Sequence, residues 1–400
     1  MNRLRNMCIA AGLCSVVLTN CTANEQESSE YGALASEKIY TSAPESKTFA
    51  NNSATNSRTN AITEAVKRCS PAIVGINVTE VRQMTVRDPF EDFFGSNPLF
   101  EQFYRRNRRV YNQEIRGLGS GFLISSDGYI LTNDHVAGTA TKIVVTLTNG
   151  EKYDAEIIGT DKTSDVALLK IDGKNLPYLP LANSDDVIIG EWVIALGNPF
   201  GLFDINSKPT ITVGVVSNTG VNFSEEGRVY RDMIQTDAAI SSGNSGGPIV
   251  NALGEVIGMN TIIFSTAQNA RGAGSIGIGY AIPINRVKRI IDLIKANKKI
   301  DRDFDPGFYI QEIDDRIAKS YGLEKKHGVV IVQVKRGSSA DEAGLEPGDI
   351  VLEADGKKVL REEDLQVVIG DCVAGQTISL SILRNDETII KKLKMLKSKN

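Results

Sequence analysis

The sequence contains little cysteine and little histidine for its length. Of 400 residues, five are cysteine and two are histidine. Cys8, Cys14 and Cys21 lie close to the N-terminus, which leaves only Cys69 and Cys372, far apart, in the rest of the chain. This spacing excludes a disulfide framework, and no Cys/His pattern typical of a zinc site occurs. We therefore expect a protein that folds on its hydrophobic core and holds no metal.

A strong excess of charge is also absent, and so is an apolar run of transmembrane length. The formal net charge is −4, which gives no general preference for nucleic acid. The N-terminal apolar run from Met7 to Leu18 is about 12 residues long, which is too short to span a bilayer. Because Arg3 and Arg5 precede it, the run has the form of an export signal rather than of a buried helix.

Two processing sites compete at the end of this signal. The segment Leu18-Thr19-Asn20-Cys21 resembles a bacterial lipobox, in which Cys21 would be lipidated, although Asn20 replaces the usual small residue. Cys21-Thr22-Ala23 is acceptable for ordinary cleavage. The sequence predicts a signal peptide over 1–23 and a disordered, Ser- and Asn-rich tether over 24–60. An exported chain without disulfides indicates the periplasm or cell envelope, with membrane contact only through a lipid anchor.

Glycine, in contrast, is plentiful, and short β-type runs between turns recur from Gly117 to about Tyr280. Many short strands at close spacing indicate a barrel or a sandwich. Behind Pro283 the period changes, and helical spacing is found for Ile284, Val287, Ile290, Ile291 and Ile294. A smaller unit of strands and short helices follows. The predicted fold class is therefore mostly β, with an α+β domain at the C-terminus.

The segment 85–114 interrupts the β pattern with aromatic and arginine residues. Arginine beside aromatics is also found where proteins bind single-stranded nucleic acid. The net charge of the chain is −4, so a long aromatic loop that contacts protein is the better interpretation.

One serine lies within an unusual concentration of glycine. Ser245 stands in Gly243-Asn244-Ser245-Gly246-Gly247-Pro248, whereas the nearby Ser241 and Ser242 do not. Glycine is needed where the backbone takes dihedrals that other residues avoid, or where another group approaches closely. The segment is therefore either an ordinary turn or the loop of a nucleophile, and a serine nucleophile needs a base.

The scarcity of histidine makes the search for that base short. His135 follows an apolar strand at the edge of the β-domain, whereas His327 lies in the C-terminal unit. Histidine suits the role because its ordinary pKa lies near 6.5. Asp165 opens a buried run and could orient His135, while Asp161 and Asp172 are alternatives that turns would equally explain.

With this order of residues the chain resembles the trypsin-like serine proteases of the HtrA/Deg family. The motifs that carry the resemblance are GSGFLISSDGYILTNDHVAG, SDVALLKI, GNPFGL and TDAAISSGNSGGPIVN, together with GLEPGDIV in a unit that looks like a PDZ domain. The resemblance implies a protease domain over 61–300, built from two six-stranded barrels with the site between them. It also implies a PDZ domain over 301–398, a regulatory loop at 85–114, and a homotrimer or larger assembly.

The resemblance also assigns roles to particular residues. Ser245 would be the nucleophile, His135 the base and Asp165 the orienting acid. The oxyanion hole would be formed by Gly243, Asn244 and Ser245, and Gly246 and Gly247 would keep side chains away from the substrate strand. Ala239 and Ile240 would line an apolar specificity pocket for small or aliphatic residues. The PDZ loop Gly307-Phe308-Tyr309 would bind C-terminal peptides.

The function that follows is an ATP-independent serine endopeptidase that degrades misfolded proteins and peptides in the bacterial envelope. No cofactor is expected, because the glycine-rich segment GSGFLIS lacks the pattern of a phosphate-binding loop. Two alternatives stay open: a dedicated stress-signalling protease, and a chaperone-like binding protein.

Overall fold

The computed structural model of the chain describes residues 58–86, 109–198, 203–206, 208–241, 243–263, 277–297, 300–320 and 327–398. The predicted signal segment 1–23, nearly all of the tether 24–60 and most of the loop 85–114 lie outside these residues. Within the described ranges, no helix combines the length and the apolar character needed to cross a membrane.

The described chain begins with a short helix, α1 (Ala61–Cys69), whose start is set by local hydrogen bonds. The Asn60 side chain accepts from the Thr63 N–H at 3.0 Å, and the Thr63 hydroxyl accepts from the Asn60 N–H at 2.9 Å. This reciprocal cap satisfies donors that a helix N-terminus leaves free. At the other end, the Cys69 thiol donates to the carbonyl of Gly254, and burial raises the pKa of this thiol to about 11. Cys69 is therefore a packing residue rather than a reactive thiol.

Six strands close the first barrel in the order β1-β2-β3-β6-β5-β4. Its elements are β1 (Ile73–Val86), β2 (Arg109–Leu123), β3 (Tyr129–Thr132), helix α2 (Asp134–Ala137), β4 (Lys142–Leu147), β5 (Lys152–Asp161) and β6 (Val166–Ile171). Strands β1 and β2 stay paired as far as Val86 and Arg109. The predicted loop 85–114 is therefore shortened at both ends, because its flanking residues continue the hairpin; the segment 87–108 lies outside the described residues.

The second barrel has the same number of strands, in the order β10-β11-β12-β9-β8-β7. Its elements are β7 (Trp192–Gly197), helix α3 (Phe203–Asn206), β8 (Thr210–Glu225), β9 (Arg228–Thr236), β10 (Pro248–Val250), β11 (Val256–Ile263) and β12 (Gly279–Pro283). A small apolar cluster fills its interior, including Val193, Ala195 and Ile249. The sequence analysis did not predict the outer half of the long β8–β9 hairpin, although Val221 and Phe223 alternate with polar residues there and pack against the core.

Helix α4 (Ile284–Asn297) begins directly after Pro283 and confirms the predicted change of period. Its five predicted apolar positions are between 0% and 5% exposed. They belong to the same core cluster as the first barrel, so the helix covers apolar surface shared by both barrels. The two-barrel architecture of the resemblance, and the mostly β fold class, are thereby confirmed.

The C-terminal domain has its own sheet and its own hydrophobic core. Its elements are β13 (Phe308–Glu312), α5 (Asp315–Ser320), β14 (Val329–Val334), α6 (Ser339–Glu342), β15 (Ile350–Ala354), β16 (Lys357–Lys358), α7 (Glu362–Gly370), β17 (Thr377–Arg384) and β18 (Glu387–Lys394). The sheet order is β13-β14-β15-β17-β18, with β16 beside β15. Strand β13 is thus an edge strand.

A buried carboxylate joins this domain to the second barrel. Asp371, which follows α7, has a fully buried side chain. Arginines from α4 and β9 surround it: Arg286 at 2.9 Å, Arg289 in direct contact, and Arg231 at 3.6 Å. Burial opposes the charged form, but these arginines hold the pKa of Asp371 below its ordinary value. The domains therefore meet through buried charge.

Candidate active site

The imidazole of His135 stands at the mouth of the cleft between the barrels. The buried strand β3 leads to helix α2, which presents His135 at its second position. The neighbouring Asn133 is buried and donates its side-chain N–H to the carbonyl of Asp165 at 3.0 Å. Strand β3 fixes the backbone before His135, and the hydrogen bond between Asn133 and Asp165 fixes the residues beside it. The core of the first barrel therefore sets the position of His135.

Asp165 lies directly against this histidine. Its Oδ2 is 2.9 Å from Nδ1 of His135, and its Oδ1 accepts the backbone N–H of His135 at 3.0 Å. The residue has φ of 57°, a left-handed conformation that Asp tolerates better than most side chains. Of the alternatives, Asp161 instead binds Arg302 at 2.6 Å. The structure thus pairs His135 with Asp165.

A threonine that the sequence did not indicate completes the surroundings of Asp165. Thr261, on β11, donates its hydroxyl to Oδ2 of Asp165 at 2.5 Å. Burial by itself raises the pKa of Asp165, but the hydrogen bond and charge of His135 and the hydrogen bond from Thr261 outweigh it and hold that pKa below its ordinary value. A buried carboxylate that stays ionised can orient and stabilise a protonated imidazole.

Ser245 faces the same cleft from the second barrel. A cavity of about 330 Å³ is lined by His135, Gly243 and Ser245 together with residues of the β1–β2 hairpin. The Ser245 hydroxyl donates to the carbonyl of Thr261 at 3.2 Å. Among the described residues, no hydrogen bond joins Ser245 to His135. A rotation of the Ser245 side chain is therefore needed before the hydroxyl can pass its proton to the imidazole.

The backbone before Ser245 leaves two donors free. Within the described part of the chain, the N–H groups of Gly243 and Ser245 have no acceptor, as an oxyanion hole requires. Asn244 lies between these two donors, and its own N–H donates to the carbonyl of Ser241 at 2.9 Å inside the turn. Its side chain is buried against Gly197. Asn244 therefore shapes the turn rather than supplying a donor.

Ser120 is a second residue that the sequence analysis missed. Its hydroxyl donates to the carbonyl of Gly243 at 2.5 Å and accepts the N–H of Asn198 at 2.7 Å. Its own N–H donates to the carbonyl of Ser245 at 3.0 Å. These bonds fix the peptide units on either side of the free donors. The only sequence signal was the GSGF segment, whose small residues permit this close approach.

The glycines after Ser245 lie close to the backbone of both barrels. A Cβ on Gly246 would lie 2.3 Å from the carbonyl oxygen of Ser120, and one on Gly247 would lie 2.2 Å from that of Leu196. Gly246 also has φ of 83°. These glycines let the loop pack against the two barrels; that they also leave room for a substrate strand stays a prediction.

The predicted specificity residues are divided between surface and core. Ala239 is exposed, whereas Ile240 is 1% exposed and packs inside the second barrel. A Cβ on Gly279 would meet Ile240 Cγ1 at 2.7 Å. Neither residue lines the 330 Å³ cavity. The nearby carboxylate of Asp237 accepts the N–H of Val215 at 2.7 Å and so is held by strand β8. The surroundings of Ile240 are apolar.

The predicted peptide-binding loop lies at the open edge of the C-terminal sheet. Gly307 has φ of 75° and precedes β13. Its N–H donates to the side chain of Asp305 at 2.8 Å, so this donor is occupied. Phe308 packs on the domain core, whereas Tyr309 is 64% exposed. The free edge of β13 can still accept an added strand.

Comparison with known proteins agrees with this architecture. Residues 119–259 match the family model described as a trypsin-like peptidase domain, and residues 299–394 match a PDZ domain. A probable periplasmic serine endoprotease, DegP-like, of Ectopseudomonas mendocina is 38% identical over 340 residues, covering 82% of this chain and 69% of that protein. The protein of the same description from Chlamydia trachomatis is 41% identical over 306 residues, covering 76% of this chain and 59% of that protein.

Solved structures give the same result. The HtrA-type protease AlgW with a tripeptide is 32% identical, with a TM-score of 0.63, covering 84% of this chain and 97% of that one. A serine endoprotease from Yersinia pestis is 29% identical, with a TM-score of 0.51, covering 84% and 98%. The fold, the arrangement of His135, Asp165 and Ser245, and these relatives together show that the chain belongs to the HtrA family of trypsin-like serine endoproteases that carry a PDZ domain.

Proposed function

We propose that His135, Asp165 and Ser245 form the catalytic triad of this endopeptidase. The observation that carries the proposal is the 2.9 Å contact between Nδ1 of His135 and a buried, ionised Asp165, at the cleft that Ser245 lines. Ser245 Oγ attacks the scissile carbonyl while His135 takes its proton, and His135 then donates that proton to the leaving amine. The N–H groups of Gly243 and Ser245 stabilise the tetrahedral oxyanion.

We expect S245A to abolish cleavage of an unfolded protein such as casein, because the variant lacks the nucleophile. The matched control is S241A, which changes a serine of the same loop that lies outside the triad. Gel and mass-spectrometric assays of product measure both. Full activity in S245A, or loss of activity in S241A alone, would contradict the assignment.

We further propose that the protein degrades misfolded proteins in the periplasm and cuts after small or aliphatic residues. The relatives named periplasmic support the location, and the export signal agrees with it. The apolar surroundings of Ile240 support the specificity, since burying a charged Lys or Arg head group among methyl groups is costly. The binding of C-terminal peptides at Gly307-Phe308-Tyr309 is proposed from the open edge of β13.

The orientation of the Ser245 hydroxyl favours a second candidate, a protease that is switched on by a signal. Its bond to the Thr261 carbonyl must break before attack, which a conformational signal could control. Proteome-wide comparison of cleavage products in active and S245A cells separates the two functions. A single cleaved membrane substrate indicates signalling, whereas many unfolded substrates indicate degradation.

Anchoring and assembly are also proposed. Lipidation of Cys21 would tether the mature protein to a membrane, and intact-mass measurement of a mature chain beginning at Asn24 would exclude it. We propose a homotrimer or larger assembly. The exposed apolar side chains of Ile188, Ile189 and Trp192 support a surface that is covered in an oligomer. Light scattering that gives the mass of a monomer would contradict this.

A further inference from the structure

The β8–β9 hairpin of the second barrel reaches the turn of the first barrel that carries Asp165. The N–H of Val229 donates to the carbonyl of Thr163 at 2.8 Å, two residues before Asp165. Beside this bond, Nε of Arg228 lies 3.3 Å from Oδ1 of Asp165. The side chain of Arg228 is only 15% exposed and that of Asp165 is fully buried. A second charged residue therefore contacts the carboxylate of the triad.

The contact is an ion pair rather than an aligned hydrogen bond. Nε of Arg228 is buried and has no hydrogen-bond acceptor among the described residues, although it lies close to Asp165. The carboxylate of Asp165 accepts its hydrogen bonds from His135 and Thr261 instead. Arg228 thus acts on Asp165 through its charge, in a part of the structure from which water is largely excluded.

The charges around Asp165 are unbalanced without this arginine. Asp134 is partly buried and lies 3.8 Å from Nη2 of Arg228, and burial together with the charge of Asp165 raises the pKa of Asp134. Glu226, at 3.8 Å from Nη1, is 82% exposed and contributes little. The two carboxylates next to His135 therefore share one permanent cation, Arg228.

The other ionisable groups nearby are already engaged. Arg302 is paired with Asp161, and Arg286 is paired with Asp371, although both arginines also contact the Ser164 side chain. The pKa of Tyr230 is raised by burial and by Asp165, so this phenol stays neutral.

We propose that Arg228 is a positioning residue of the triad, which holds the Asp165 carboxylate in place and balances its charge so that His135 is available as a base. The inference rests on the proposed function of the triad. Two carboxylates beside an imidazole favour its protonated form, which cannot accept the Ser245 proton. The adjacent guanidinium offsets that effect by repelling a second positive charge.

The test is the pH profile of kcat/KM for a fluorogenic peptide with Val before the scissile bond. In R228M we expect kcat to fall about tenfold, because Asp165 loses a contact that holds it. The acidic limb of the kcat/KM profile should move to higher pH by about 0.5–1 unit, because the guanidinium that repels a proton from His135 is gone. R228K keeps the charge, and its acid limb should stay close to the native one.

The matched control is R231M, on the same strand, since Arg231 is 12% exposed and pairs with Asp232 and Asp371 instead. Its acid limb should not move. A native acid limb in R228M, whether or not kcat falls, would overturn the proposal and leave Arg228 a structural residue. If S245A retains activity, the proposed triad is wrong. In the double variant R228M/S245A, the activity that remains in R228M should disappear, because that activity should still depend on Ser245. Thermal melting of each variant shows that it is folded.

Discussion

At the scale of single residues, the specificity assignment depends on where Ile240 points. The side chain is buried in the second barrel beside Gly279, and Asp237 is occupied by the N–H of Val215. A substrate side chain that reaches Ile240 meets methyl groups, and the nearest carboxylate, Asp237, uses one of its oxygens to accept the Val215 N–H. Size, rather than charge, should therefore decide which residue is accepted before the scissile bond.

We expect I240A to widen the accepted range of residues toward Leu and Phe. Removing three carbon atoms leaves space, and a hydrophobic pocket discriminates by about 1–3 kcal/mol per methylene, or roughly 10–200-fold. Mass-spectrometric mapping of cuts in an unfolded protein measures the change. The control is I390A, because Ile390 is 72% exposed and lies in the C-terminal domain. Dominant cleavage after Lys or Arg in the native protein would contradict an apolar pocket.

At the scale of elements, the loop between β9 and β10 is held by backbone contacts to both barrels. Ser120 binds the carbonyls of Gly243 and Ser245, and Gly246 lies against Ser120 and Thr132. The position of Ser245, the proposed nucleophile, therefore depends on how the barrels close around this turn as well as on the turn sequence.

We expect G246A to fold less stably and to lose most of its activity. Its Cβ would lie 2.3 Å from both the Ser120 carbonyl oxygen and Thr132 Oγ1, and its φ of 83° is unfavourable for alanine. The matched control is G220A, which has φ of 76° but no atom within 4 Å of the added Cβ. In G220A, the free energy of unfolding should fall only by the cost of placing alanine at a positive φ, about 1–2 kcal/mol. Equal urea midpoints for the two variants would show that close packing at Gly246 does not matter.

At the scale of the whole molecule, the PDZ domain is joined to the protease domain by buried charge. Asp371 meets three arginines of the protease domain, and Arg302 joins Asp161 to the carbonyls of Gly370 and Cys372. Asp161 precedes the turn that carries Asp165, so the interface ends close to the triad.

We expect D371N to loosen the contact between the domains. Removing one partner of a buried ion pair costs about 3–5 kcal/mol, because the remaining charges stay buried without compensation. Limited proteolysis between the domains, at residues 300–307, should become faster, and calorimetry should resolve two transitions. The control is D154N, since the Asp154–Lys142 pair is exposed and should contribute less than about 1 kcal/mol. Unchanged proteolysis in D371N would contradict the role of the cluster.

The same carboxylate predicts how the interface responds to pH. The pKa of Asp371 is lowered in the folded protein, so its stabilising contribution is complete above the ordinary value for Asp, about 3.9. The contribution is lost as pH falls through the lowered pKa. We therefore expect acid to separate the domains in the native protein. In D371N, the temperature at which the domains separate in calorimetry should depend less on pH across this range.

The sequence was sufficient where a residue type is scarce or a period is strong. With only two histidines, one of them in the C-terminal unit, His135 was the available base. The glycines around Ser245 distinguished it from the neighbouring serines. The helical spacing of apolar residues behind Pro283 predicted α4 correctly. These features are local, so they can be read along the chain. The family followed from several such motifs in one order.

The tertiary structure decided what depends on contacts between distant residues. It paired His135 with Asp165 rather than Asp161, which binds Arg302 from beyond the protease barrels. The structure also shows that the Asn244 N–H is hydrogen-bonded inside a turn. Thr261 and Arg228 lie beside Asp165. Arg228 lies more than sixty positions after Asp165 along the chain, but the β8–β9 hairpin brings its Nε to 3.3 Å from Oδ1 of Asp165. Such proximity arises from barrel closure, and no spacing along the sequence encodes it.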